Sequence, residues 1–90
     1  MQLPCIHPNG TSKEDLLDGL GKTRVALCEA YQSMKRAAPN QRDYYPLGND
    51  AFKQAVEEHM ARLRRLGEIV DELDCLMRGI DCINRLYHMI

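Results

Sequence analysis

The chain has no tryptophan and a single phenylalanine, so its 90 residues contain few of the large rings that anchor a compact core. No apolar run approaches the ~20 residues a membrane span requires. The opening Met1-Gln2-Leu3-Pro4 lacks the basic segment and apolar run of a secretory signal, and a soluble, cytoplasmic protein is expected. Neither sign of charge dominates: the net charge is -1 and the pI about 6.3, so no global positive field attracts nucleic-acid phosphates. Cys5, Cys28, Cys75 and Cys82 include no C-x-x-C pair and read as free thiols rather than a disulfide or zinc framework. No catalytic, cofactor or metal motif of any specificity is present. The expectation is a non-enzymatic protein without cofactor.

What the sequence does have is helical periodicity. Thr11-Ser12-Lys13-Glu14 reads as a capping box, and Leu16, Leu20, Leu27, Tyr31, Met34 and Ala38 follow as one amphipathic stripe. Lys35 and Arg36 suit the last turn before Pro39. A second stretch opens near Asn49-Asp50, with Val56, Leu63, Val70 and Met77 in one heptad position. Phe52, His59, Leu66, Leu73, Ile80 and Tyr87 occupy another. The fold class expected is all-α: a long antiparallel helical hairpin, assembling into an oligomeric helical bundle. Residues 1–90 form one domain, with an N-terminal arm over 1–11, a helix over 12–38, a loop over 39–48 and a long helix over 49–88 for which Gly79 is a candidate break.

The two helices differ in length, about 40 Å against nearly 60 Å at ~1.5 Å per residue. Residues beyond about 77 are therefore expected to outrun their partner, in a region that the further row Ile69, Leu76, Ile83 and Ile90 makes more apolar. The N-terminal arm, through Leu3 and Ile6, or another subunit must cover them. A chain this short often reaches sufficient burial only by self-association, so a homo-oligomer is expected with His59, Ile69, Leu76, Ile80 and Ile83 at its interface. His59 needs a hydrogen-bond partner from the first helix or from a second chain.

Two segments hold chemistry that a plain hairpin does not need. The loop Pro39-Asn40-Gln41-Arg42-Asp43-Tyr44-Tyr45-Pro46-Leu47-Gly48 places two tyrosines and an Arg-Asp pair where no regular core uses them. The turn His7-Pro8-Asn9-Gly10-Thr11-Ser12 leads into a helix N-terminus, whose free amides favour anions. His7, Asn9, Thr11, Ser12, Arg42, Asp43, Tyr44 and Tyr45 together provide groups to stack on a base and neutralise a phosphate. Loop and turn lie at opposite ends of one helix, so they meet only across a subunit boundary. A small anionic nucleotide-like ligand is the expected partner; a protein bound through an apolar or charged helical surface is the alternative. Arg62, Arg64, Arg65 and Lys53 read as a solvated, salt-bridged face, with an anion site between subunits the alternative.

An enzyme is the third possibility. With the hairpin turning near residue 44, Asp15 and Asp18 are level with Glu68, Asp71 and Glu72, a carboxylate set suited to Mg²⁺ and nucleotide hydrolysis. This resembles the all-helical pyrophosphohydrolases in outline, although their paired acidic motifs lie closer together in sequence.

Asn9-Gly10-Thr11-Ser12-Lys13-Glu14-Asp15-Leu16-Leu17, Ala38-Pro39-Asn40-x-Arg42-Asp43-Tyr44-Tyr45-Pro46 and Glu58-His59-x-x-Arg62-Leu63 together resemble a set of small phage- and prophage-encoded proteins of unassigned function. The resemblance spans roughly residues 7 to 75. It implies an accessory phage protein in the cytoplasm of a bacterial host, acting by binding: a counter-defence sponge for a nucleotide signal, or an inhibitor of a host defence protein.

Overall fold

Two helices account for most of the computed structural model, which describes the backbone of residues 1–89 and the side chains of residues 1–82. Helix α1 spans Lys13–Arg36 (24 residues) and helix α2 spans Asn49–Met89 (41 residues). A turn closed by the Gly10 amide on the His7 carbonyl, at 3.0 Å, carries the chain past Thr11. Ser12 is then the residue placed to cap α1, and its hydroxyl accepts from the Asp15 amide at 3.1 Å. The cap thus falls one residue after the Thr11 expected from sequence, with Glu14 and Asp15 in the first turn and Lys35 and Arg36 in the last, both favourable to the helix dipole.

Four contacts fix the register of the hairpin. Lys13 Nζ lies 2.8 Å from Asp81 Oδ1, and Arg24 forms a two-pronged pair with Asp74. The Tyr31 ring packs across Gly67, where a Cβ would stand 3.8 Å from Cε2. Near the loop end His59 Nε2 is 2.8 Å from the Met34 carbonyl oxygen. In this register α2 overlaps α1 along its whole length and projects past α1 at the loop end, by its first few turns. The overhang expected beyond residue 77 begins only after Asp81, opposite Lys13 at the start of α1, and the longer projection is at the other end of the molecule, because the 37–48 connection climbs alongside α2 rather than turning tightly. Tyr44 ends level with Phe52, their ring centroids 6.0 Å apart at 51°.

Helix α2 continues without a break through Gly79. That glycine is a seat for the N-terminal arm, since a Cβ there would meet Leu3 Cδ2 at 2.7 Å. Beside this seat Ile80 is 2% exposed, more deeply buried than the other core residue, Leu63, at 7%. The expectation that Ile80 faces another subunit is therefore corrected: one chain encloses it. Ile83, expected at the same interface, lies outside the described side chains, as do Tyr87 and Ile90.

The molecule is a rod. Its principal extents are 66 × 19 × 18 Å and its radius of gyration is 19.6 Å, where a compact chain of this length has about 12 Å. It exposes 6985 Å², against about 5,400 Å² for a compact monomer of this mass. Among the described residues no helix is long and apolar enough to cross a membrane.

Candidate functional site

Local sequence chemistry holds the backbone of the connecting loop almost completely. Pro39 keeps Ala38 out of the helical region and ends α1. Asn40 is extended, at φ -103° and ψ 130°, and its side-chain oxygen accepts from the Arg42 amide at 3.1 Å, capping a 3-10 turn over Gln41–Asp43. A second 3-10 turn, Tyr45–Leu47, contains Pro46 and closes with the Leu47 amide on the Tyr44 carbonyl at 2.9 Å. Gly48, at φ 94°, makes the left-handed step into α2 that a side chain would strain.

On this frame the four candidate side chains have different surroundings. Tyr44 is half-buried against Phe52 and belongs to the loop's packing. Tyr45 is 67% exposed. Arg42 and Asp43 are exposed, and among the described residues neither forms an ion pair, so they do not brace the turn against each other. The result is a fixed backbone that presents a guanidinium and a bare phenol ring to solvent.

At the opposite end of α1, His7, Asn9 and Thr11 are exposed, and the His7 ring lies over Gly10, where a Cβ would meet Nε2 at 2.8 Å. The Ser12 hydroxyl already accepts from the Asp15 amide, leaving its proton and one lone pair to offer a ligand. About 36 Å of helix separates this turn from the loop within one chain. Arg42 and His7 therefore do not meet in a single hairpin.

His59 is 7% exposed, the buried polar side chain of the seam. Its Nε2–H donates to one of the last carbonyls of α1, satisfying a helix end while filling the core. The basic cluster is solvated: Lys53, Arg62, Arg64 and Arg65 are exposed, and Arg62 reaches Glu58 at 3.7 Å.

The carboxylate set expected for Mg²⁺ is not assembled. The register opposes Arg24 to Asp74 and Lys13 to Asp81, so Asp15 and Asp18 lie roughly two turns, ~10 Å, from the level of Glu68, Asp71 and Glu72. Asp18 is bridged to Lys22 at 2.9 Å, and the described residues contain no group of three or more acidic, histidine or cysteine side chains able to hold a metal ion.

The Arg24–Asp74 pair was not foreseeable from the sequence pattern, since it depends on the register. Arg24 Nη2 donates to Asp74 Oδ2 at 3.2 Å, and its Nη1 lies 3.8 Å from Cys28 Sγ. The hydrogen bond from Arg24 holds the Asp74 carboxyl below its ordinary value of 3.8. A depressed folded-state value means a contribution present above the unfolded value and lost as pH falls through the folded one. Wild type is expected to lose more thermal stability than Asp74→Asn as pH is lowered from about 5 to about 2.5, the two curves running parallel above pH ~5. Melting temperatures followed by circular dichroism check this, and identical acid profiles would remove the pair from the stability of the fold.

No family model matches this chain, and no curated protein or solved structure shows significant similarity to it.

Two shallow grooves flank the hairpin seam on one side. One, of about 410 Å³, is lined by Leu17, Asp18, Gly21, Lys22 and Val25; the other, of about 240 Å³, lies between Tyr31 and Val70. Neither holds converging polar groups of the kind that orient a small ligand.

Proposed function

We propose that this protein is a non-enzymatic binder that sequesters a small nucleotide-like anion at sites shared between subunits of a homo-oligomer. The observation that carries this function is the loop: a hydrogen-bonded backbone with an exposed Tyr45 ring and, three residues earlier, an exposed Arg42 free of ion pairs among the described residues. A ring and a guanidinium held a few residues apart are the groups that stack on a base and pair with its phosphate. The N-terminal turn of another subunit, with His7, Asn9 and Thr11 before the amides of α1, closes the site. The likeness of the N-G-T-S and R-D-Y-Y-P strings to small phage proteins supports a role in counter-defence, in which stoichiometric capture of a host signal needs no turnover.

Titration calorimetry with a panel of linear and cyclic nucleotides tests this function. At least one member is expected to bind, with no more than one ligand per loop and no hydrolysis afterwards. Silence across the panel would transfer the weight to a host protein as the partner, and magnesium-dependent turnover would make the protein an enzyme.

A further inference from the structure

We infer that a second copy of this chain docks antiparallel on the hairpin face formed by Gly19, Thr23, Ala26 and Ala30 of α1 with Ile69 and Leu76 of α2. Along α1, Gly19, Thr23, Ala26, Ala30, Ser33 and Ala37 follow at alternating steps of four and three, the spacing of a coiled-coil seam. This row is distinct from the stripe that faces α2, and all its members are exposed in the single chain. Small residues at this spacing let a second helix approach closely. Thr23 fits such burial because its hydroxyl already donates to the Gly19 carbonyl at 2.9 Å and turns only a methyl group outward. Beside the row, α2 contributes Ile69, 46% exposed, and the half-buried Leu76.

Charge selects the occupant and its register. Asp15, Lys22, Glu29 and Arg36 are seven residues apart in the row next to this face, alternating in sign. In an antiparallel helix pair such flanking rows face each other. When α1 overlaps the partner's α1 over its full length, Lys22 meets the partner's Glu29 and Asp15 meets the partner's Arg36, each twice by symmetry. Sliding the partner by one heptad opposes Lys22 to the partner's Arg36 and Glu29 to its own copy in one direction, and Lys22 to its own copy and Asp15 to the partner's Glu29 in the other. The full-overlap register thus combines the longest contact with four complementary pairs, and a row that complements itself is the mark of a two-fold contact between identical chains. Lys22 is available for it, being 78% exposed and, among the described residues, bridged only to the 61% exposed Asp18 one turn away.

The same rotation lays α2 across the partner's α2 and brings Ile69 to within about half a turn of the partner's Leu76, completing a four-helix bundle. The single hairpin exposes about 1,600 Å² more than a compact chain of its mass, ample for the ~800 Å² that each partner buries in a standard interface. Full overlap of the first helices also sets the partner's Arg42, which follows α1 along the rod, level with the turn at His7. That consequence rests on the function proposed above; the docking face does not.

The test is light scattering over a concentration series for wild type, Lys22→Glu, Glu29→Lys and the double exchange. These positions are exposed within the hairpin, and each variant is expected to keep the helical circular dichroism of wild type. Wild type is expected at twice its 10.3 kDa chain mass or a multiple of it. Each single exchange creates two like-charge contacts and should raise the dissociation constant about tenfold, while the double exchange restores it to within about threefold. A monomeric wild type overturns the inference, as do single exchanges without effect or a double variant weaker than both. An assembled protein that obeys the exchange but binds no nucleotide keeps this face and removes the proposed ligand. An oligomer indifferent to the exchange removes this face and leaves the ligand question to calorimetry.

Discussion

Ile80→Ala is expected to destabilise the fold by about 3 kcal/mol, with a usual range for such truncations of 2–5 kcal/mol. Among the described residues Ile80 is the most enclosed side chain, at 2% exposure, and Leu63 is the only other buried hydrophobe. With so thin a core, neighbouring side chains have little material with which to refill a cavity, and the arm seated on Gly79 through Leu3 cannot move inward without losing that seat. Urea unfolding at one fixed protein concentration, needed because association adds to apparent stability, measures the loss. Ile69→Ala, at a position left 46% exposed, is expected to change the folding of one chain by less than about 1 kcal/mol. A loss at Ile80 no larger than the loss at Ile69 would mean that the arm and the seam around Gly79 do not form the core of the hairpin.

Removing Arg42 and Tyr45 together should weaken ligand binding at least a hundredfold. Stacking on an aromatic ring contributes ~1–3 kcal/mol per base and a hydrogen bond to a charged group about 1.5–3 kcal/mol, and neither side chain is required by the loop's backbone. Asn40, Gly48 and the two 3-10 turns hold that backbone without them. Arg42→Ala with Tyr45→Ala should therefore stay folded, which makes lost affinity attributable to the site. Tyr44→Ala is a different case: its ring packs against Phe52, so its removal should lower stability as well. Unchanged affinity in the folded Arg42, Tyr45 double variant would dismiss the loop as a ligand site.

The all-helical hairpin was legible because the apolar positions of both helices repeat at helical spacing, with Pro39 and Gly48 marking the connection. The register was not. It depends on how far residues 37–48 rise before α2 begins, and loop rise follows from Asn40 capping, two successive 3-10 turns and the packing of Tyr44 on Phe52, none of which is encoded in periodicity. A hairpin assumed to turn near residue 44 therefore misplaced Asp15 and Asp18 beside Asp71, and it concealed the Arg24–Asp74 pair. Gly79 shows the same effect at a smaller scale. Propensity alone makes a mid-helix glycine a weak point, whereas here the missing side chain is what admits Leu3. At the loop, sequence named the right residue types but did not separate a packed Tyr44 from an exposed Tyr45, because adjacent residues diverge only once the turn geometry is known.

Native mass spectrometry of the protein purified from the cells that produce it tests the central claim most directly, since subunit count and retained small molecules are read in one spectrum. An even-numbered assembly carrying adducts of nucleotide mass, lost together with the Arg42 and Tyr45 side chains, is the predicted result. A bare monomer, or an assembly that retains another protein and no small anion, would contradict it.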